Sequence, residues 1–231
     1  MCALAVETVR ETEQVAHRSV DRRATLMVAD GRCFEGRGVG PSGIVGGELV
    51  LTTAMTGYQE ALTDPSYRGQ ILLFTYPLIG NYGVMGAVAQ STAIQPVAVI
   101  AATLSPSWSG RSSLWSYVAE RDVPAIHDID TRGLARWIRD NGDCAAAIAL
   151  HDGEPDLDTL RERIDGCSYD TDDLIAGVTV AQPEIHGHGS RTVALLDCGN
   201  KRSVVDELIE RETQVIVLPA STPADEIARL S

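Results

Sequence analysis

A cysteine at the end of an apolar segment is the first residue of this chain whose type and position suit chemistry. Cys198 follows the run VALLD and precedes Gly199, a place from which a thiolate could attack a substrate. Lys201 comes next, where an amine and loop N–H groups could bind an anion. The segment offers no His to deprotonate the thiol, so we interpret Cys198 as a buried free cysteine. Lys201 is interpreted as a capping or solvated residue and a weak interface candidate.

Two other stretches are weaker candidates for binding chemistry. GRGVGPSG at residues 36–43 lacks the G-x-x-x-x-G-K-[ST] spacing of a phosphate-binding loop and does not lead into a helix. A loop between strands is predicted there. His186 and His188 have spacing compatible with a metal, but no cysteine or carboxylate set completes a site, so a solvated linker is predicted.

A third stretch, TTAMTGYQEALTDPSY at residues 52–67, has no regular period. Its apolar residues follow neither a helix nor a half-buried strand, and Asp64-Pro65 is a turn or helix-start signal, so a shaped loop is predicted. Taken alone, Ser66 would be a turn hydroxyl bonded to its own backbone. Packing or interface roles, and no catalytic role, are assigned to the neighbouring residues Tyr58, Gln59 and Glu60.

Composition narrows the classes of function. The 231 residues contain 32 acidic and 19 basic side chains, a formal net charge of -13, which disfavours nucleic acid or an anionic membrane as a partner. Small molecules or proteins fit better. The five cysteines show no C-x-x-C spacing, which indicates neither a disulfide framework nor a zinc site and favours a reducing cytoplasm.

The start of the chain does not resemble a targeting signal. Residues 1–24 contain one short apolar run and three Glu residues, so an N-terminal extension is predicted rather than a signal or transit peptide. No apolar run is long enough to cross a bilayer, which predicts a soluble protein.

The elements that would position these residues fall into two units. Residues 25–165 begin with strand patterns and continue with helices, among them one at Thr131 to Asn141 with Asp130 or Thr131 as its N-cap and Gly142 directly after it. We interpret the three Trp residues of this unit as core or interface anchors. They are Trp108, Trp115 and Trp137.

The second unit has a different pattern. Residues 166–190 lose periodicity and are predicted to be a linker. Residues 191–231 alternate strand, helix, strand and helix, which is typical of the opening of a doubly wound parallel sheet. Two strands cannot complete such a sheet, so this unit is expected to be truncated or completed by another polypeptide.

Three blocks read in order resemble one family. They are GELVLTTAMTGYQEALTDPSYRGQILLFTYPLIGNYGV, DIDTRGLARWIRDNGD and VALLDCGNKRS, and they resemble the small, glutamine-handling subunit of carbamoyl phosphate synthetase. The resemblance implies an α/β protein with an N-terminal β/β/α domain, followed by the start of a flavodoxin-like class I glutamine amidotransferase domain. The segment MGAVAQSTAIQ departs from it, because the family is usually more acidic there.

The resemblance also implies partners and a substrate. A large synthetase subunit would use ammonia from L-glutamine, with ATP and Mg in that subunit, to convert bicarbonate into carbamoyl phosphate. The family's catalytic Cys, His and Glu belong to G-x-C-x-G and H-P-E segments that this sequence does not contain. The chain is therefore expected to have no catalytic residue, no cofactor and no glutaminase activity of its own.

One binding residue remains. Family resemblance places the serine of D-P-S-Y, here Ser66, beside the bound glutamine between the two domains, and a hydroxyl that donates and accepts suits an amino-acid ligand. Two alternatives stay open: a non-catalytic docking or regulatory protein that binds the large subunit, and one half of a split amidotransferase. The sequence does not distinguish arginine from pyrimidine synthesis as the pathway.

Overall fold

The computed structural model describes residues 22–167 and 173–230, and its larger part is a closed seven-stranded barrel. Around the barrel the strands run in the order β1-β2-β6-β5-β4-β3-β7, and β7 pairs with β1 to close it. The strands are β1 Arg22–Val28, β2 Cys33–Val39, β3 Gly43–Thr52, β4 Gln70–Phe74, β5 Ala98–Ile100, β6 Ala125–His127 and β7 Cys144–His151.

Four helices accompany the barrel within residues 22–167. They are α1 Tyr58–Thr63, α2 Leu114–Ala119, α3 Thr131–Asn141 and α4 Leu157–Asp165. Of the two N-cap residues that the sequence offers for α3, Asp130 takes the role and accepts a hydrogen bond from the N–H of Gly133, and Gly142 ends the helix as predicted at φ 84°. Leu134, Trp137 and Ile138 are buried along one side of α3, as their spacing predicts.

Strands β3, β4, β5 and β6 run parallel to one another, whereas β1, β2 and β7 pair antiparallel. The parallel part therefore gathers the loops that leave β3, β4 and β5 at one end of the barrel. The glycines of β2 permit its close packing, because a Cβ at Gly36 would lie 2.7 Å from the carbonyl oxygen of His127. The loop predicted for GRGVGPSG is shorter than expected, because residues 36–39 belong to β2 and residue 43 begins β3, which leaves residues 40–42 between the strands.

A smaller sheet of three strands follows, in the order β8-β10-β9. Its strands are β8 Glu184–His186, β9 Arg191–Asp197 and β10 Thr213–Pro219, and its helices are α5 Arg202–Glu210 and α6 Ala224–Ala228. Strands β9 and β10 are parallel and joined through α5, which is the predicted β-α-β unit. β8 pairs antiparallel with β10.

The structure corrects several expectations about elements. Residues 52–67 were predicted to be a loop, but Tyr58–Thr63 form a short helix, because Tyr58 and Leu62 at i and i+4 are both buried. Strands β6 and β8 were not predicted, since each has three residues and too short a pattern to detect. β8 lies within the stretch interpreted as a linker. Of the predicted extension, residues 22–24 belong to β1 and residues 1–21 lie outside the described part.

Candidate functional site

Ser66 lies in a single 3-10 turn, Pro65–Tyr67, directly after α1. The turn begins at Asp64, whose carboxylate oxygen Oδ1 accepts a hydrogen bond from the Ser66 N–H at 3.0 Å. Pro65 is buried and suits the first position of a helical turn. The hydrogen bond from Asp64 fixes the backbone of the turn, and Ser66 itself is exposed at the surface.

The second oxygen of the Asp64 carboxylate reaches the smaller sheet. Lys201 Nζ lies 2.7 Å from Asp64 Oδ2, while the Asp64 residue is only 7% exposed. One nearly buried carboxylate therefore fixes the Ser66 turn and pairs with the only lysine of the chain. Lys201 stands at the N-cap position of α5, but its side chain makes no capping hydrogen bond, so the contact with Asp64 agrees with the weaker interface interpretation and not with the capping one.

The loop from β9 to α5 is built to pass close to the Ser66 turn. Gly199 has φ 100°, a conformation that favours glycine, and a Cβ there would lie 3.1 Å from Pro65 Cβ. Asp197 at the end of β9 is buried and accepts bonds from the N–H groups of Gly199 at 3.1 Å and Asn200 at 2.9 Å. The loop is thus fixed from within and packs against Pro65.

Gln90 provides a third contact between the two parts. The first helical N–H groups of α5 point at this residue: Arg202 N–H donates to the Gln90 carbonyl at 2.9 Å, and Ser203 N–H donates to its Oε1 at 3.2 Å. Its own N–H donates to Thr63 Oγ1 at 2.8 Å. A residue of the barrel part therefore satisfies N–H groups that a helix start leaves without partners.

The residues beside Ser66 have structural roles. Tyr58 is buried, donates its hydroxyl hydrogen to the Gly83 carbonyl at 2.7 Å and stacks on Tyr82 with ring centroids 4.2 Å apart. Burial raises the pKa of the Tyr58 phenol, so this group stays a neutral donor. Gln59 is also buried, and its Oε1 accepts from Met85 N–H at 2.6 Å. These contacts agree with the packing roles predicted for them.

The other candidates are not brought into this site as functional groups. Cys198 is exposed, so its predicted burial is wrong; it follows the end of β9, where the strand residues Leu196 and Ala194 are also exposed. His186 Nε2 lies 3.1 Å from the Glu184 carboxylate. Within residues 22–167 and 173–230, no group of three or more His, Cys, Asp or Glu side chains could hold a metal ion. No helix in those same residues has the length and apolar character to span a membrane.

The arrangement is typical of an α/β protein with a candidate site for a small ligand. An exposed serine on a barrel turn lies beside the carboxyl end of a parallel strand in a neighbouring sheet, and this is where α/β sheets bind small ligands. Sequence reasoning found Ser66 through its motif. It missed Asp64 and Gln90, because their contacts with residues 201–203 join positions far apart in the chain and no local pattern reveals them.

Comparison with known proteins identifies the family. The profile described as "Carbamoyl-phosphate synthase small chain, CPSase domain" matches residues 26–148. The chain belongs to the carbamoyl phosphate synthase small chain family, as the sequence blocks indicate.

Relatives cover most of this chain. The carbamoyl phosphate synthase small chain of Methanocaldococcus jannaschii is 38% identical over 88% of this chain and 58% of its own length. That of Halobacterium salinarum is 42% identical over 87% of this chain and 56% of its own. The arginine-specific small chain of Neosartorya fischeri is 35% identical over 91% of this chain and 49% of its own. The chain thus spans about half the length of these relatives.

Among solved structures, an aminopeptidase from Aneurinibacillus sp. strain AM-1 aligns over 97% of this chain and 62% of its own. The TM-score is 0.33 and the identity 14%, which is too low to support an argument about fold or function.

Proposed function

We propose that this chain forms part of the small subunit of a glutamine-hydrolysing carbamoyl phosphate synthase. The subunit supplies ammonia from L-glutamine to a large subunit, which makes carbamoyl phosphate from bicarbonate. ATP and Mg²⁺ are bound by that large subunit, and this chain carries no cofactor. Family membership and the names of the relatives support the proposal. The five cysteines, which show no C-x-x-C spacing, agree with work in a reducing cytoplasm.

In this proposal the chain contains two unequal domains. Residues 25–165 are the N-terminal domain of the small subunit, residues 166–190 connect it, and residues 191–231 begin a flavodoxin-like class I amidotransferase domain. The parallel pair β9 and β10, joined through α5, supports the second assignment because doubly wound sheets are built from such units.

The proposed role of Ser66 is to contact glutamine at the junction of the two domains. One observation carries it: the Ser66 turn is held against the β9–α5 loop through Asp64 and Lys201, with the serine itself exposed. A hydroxyl can donate to a carboxylate and accept from an ammonium group, and an amino acid carries both. Ser66 therefore lines one side of the proposed glutamine site and orients the ligand.

Amide hydrolysis is not assigned to any residue of this chain. The sequence contains neither a G-x-C-x-G turn nor an H-P-E segment, and Cys198 lacks the strand-to-helix elbow glycines that expose a nucleophile. The chain mixed with the large subunit is expected to bind it and to support synthesis from ammonia. Glutamate release from glutamine by the purified chain would contradict this account, and so would a failure to bind.

The Ser66 assignment is tested by titrating isotope-labelled chain with millimolar L-glutamine and recording amide resonances. The Ser66 amide and its neighbours in the β9–α5 loop are expected to shift together. Ser66→Ala should remove the response, whereas Ser112→Ala, a change at another exposed loop serine, should leave it. An unchanged Ser66 resonance in the wild-type chain would contradict the assignment.

A further inference from the structure

Three buried side-chain atoms in neighbouring segments are polar but have no hydrogen-bond partner among residues 22–167 and 173–230. They are Asn81 Oδ1 in the loop after β4, Ser105 Oγ in the loop after β5, and Trp115 Nε1 in α2. Ser105 is only 5% exposed and Trp115 only 6%. Because buried polar groups are nearly always hydrogen-bonded, these three atoms point to a ligand that all of them contact.

Gly80 shows how closely the three segments approach one another. It has φ 96°, and the position that a Cβ would take there lies 3.3 Å from Trp115 Nε1 and 3.3 Å from the Ser105 carbonyl oxygen. Both residues therefore lie against the backbone next to Asn81. The two loops are also bonded directly, because the Asn81 carbonyl accepts from Trp108 N–H at 2.9 Å. The three atoms thus belong to one packed region.

The hydrogen-bonding characters of the three atoms suit one small neutral molecule. The Trp115 indole N–H can only donate, the Asn81 side-chain oxygen can only accept, and the Ser105 hydroxyl can do both. A water molecule can accept from the indole, donate to the amide oxygen and bond to the hydroxyl. Buried waters typically make about three such bonds to otherwise unpaired polar groups.

The surrounding segments disfavour a charged ligand. Residues 65–119 contain all three atoms and include no Asp or Glu and only two Arg residues. A buried cation would find no carboxylate in these segments and would meet the hydrogen of the Trp115 indole. A buried anion would meet the Asn81 oxygen. A neutral ligand of the size of water fits the site best.

We propose that Asn81, Ser105 and Trp115 form an internal hydration site that holds one ordered water molecule. The water joins the loop after β4 to the loop after β5 and to α2. This inference is independent of the proposed function, because it concerns the interior of the barrel part and not the contact with the smaller sheet.

The hydration site would support the segment on which α1 packs. The Tyr58 hydroxyl of α1 donates to the Gly83 carbonyl at 2.7 Å, and the Tyr58 ring stacks on Tyr82. Both of these partners follow Asn81 directly in the chain. A water bonded to Asn81 therefore helps to fix the loop that holds α1 in place.

The test is a pair of Overhauser spectra of the purified, isotope-labelled chain, read at the tryptophan indole N–H groups. A water that stays bound gives peaks of opposite sign in the laboratory and rotating frames. Hydrogen exchange and mobile surface water both give peaks of equal sign. The Trp115 indole should show the opposite signs. Trp108 is 77% exposed and is the reference for surface water, so its indole should not show them.

Ser105→Ala removes one of the three partners of the water and should abolish the peaks of opposite sign at the Trp115 indole. Ser112→Ala is the matched control, because Ser112 is an exposed serine of the same loop, and it should leave these peaks unchanged. The Trp137 indole donates to the Asp30 carboxylate at 3.1 Å, so its resonance reports whether the barrel stays folded in each variant.

Two results would overturn the hydration site. One is a wild-type chain whose Trp115 indole shows no peaks of opposite sign. The other is a Ser105→Ala variant that keeps these peaks while the Trp137 resonance is unchanged, because the hydroxyl would then not hold the water. If the Trp137 resonance moves in Ser105→Ala, Ser105→Thr decides the question. It keeps the hydroxyl and should keep the peaks, and their loss would overturn the proposal.

Discussion

The barrel and the three-stranded sheet bury their strands in contrasting ways. Barrel closure leaves no strand edge unpaired, and residues of β1, β3, β4, β5, β6 and β7 contribute to a continuous core. In residues 173–230 the buried apolar side chains are Val215, Val217 and Leu218, all on the central strand β10. Ile185 on β8 is 67% exposed.

This difference in apolar burial shows which interactions stabilise each part. The barrel is stabilised by its own interior, because apolar area removed from water is the dominant favourable contribution to folding. The smaller sheet buries little by itself and is held to the barrel through polar contacts at Asp64 and Gln90. Changes in the barrel core should therefore affect global unfolding, and changes at the contact should affect local opening of the sheet.

The largest contrast is expected between two Leu→Ala substitutions. Leu73 in β4 is fully buried, so Leu73→Ala should lower the free energy of unfolding by about 2–5 kcal/mol. Leu196 in β9 is 39% exposed, and Leu196→Ala should change it by no more than about 0.5 kcal/mol. Urea denaturation measures both, and equal losses would contradict the account of the two parts.

A smaller effect is expected when the Asp64–Lys201 pair is broken. Lys201→Met leaves a nearly buried carboxylate without its charged partner and should lower the opening free energy of the smaller sheet by about 1–3 kcal/mol. Hydrogen exchange of the β9 and β10 amides measures this, with barrel amides as the internal reference.

The control for this pair is Arg229→Met, which removes an exposed i,i+4 pair with Asp225. Exposed pairs contribute roughly 0–1 kcal/mol, so exchange in β9 and β10 should hardly change. Faster exchange in both variants to the same extent would show that the Asp64 contact has no special role.

The smallest effect concerns Gln90 and the start of α5. Gln90→Ala removes a side-chain acceptor from the Ser203 N–H and should cost about 0.5–2 kcal/mol, as loss of a helix cap does. Gln90→Glu keeps an acceptor and adds negative charge at a helix start, so it should retain or increase protection. Protection of the Ser203 amide is the measurement; unaltered protection in Gln90→Ala would contradict the capping role.

Much of the fold could be predicted from local sequence patterns. The elements that could not be predicted were missed for physical reasons. Helix α3 was predicted to its ends because Asp130 and Gly142 mark them, and the β9–α5–β10 unit was predicted from its apolar strands. Strand β8 has three residues, of which Glu184 and Ile185 are exposed, so its existence depends on pairing with β10 and not on its own composition. Local sequence cannot report such a pairing.

The candidate site was likewise predicted only in part. Ser66 was identified through a motif, but the contacts that place it beside residues 199–203 link positions well over a hundred residues apart. The exposure of Cys198 was missed for a related reason. Its burial was inferred from residue type, whereas it depends on what covers the end of β9.

The central claim is that the Ser66 turn lies against the β9–α5 loop, and nuclear Overhauser contacts at Gly199 test it most directly. The Gly199 α-protons should show contacts to Pro65 β-protons and to Val178 methyl groups, because a Cβ at Gly199 would lie 3.1 Å from Pro65 Cβ and from Val178 Cγ2. Contacts to Val178 without any to Pro65, in a chain whose barrel contacts are intact, would contradict the claim.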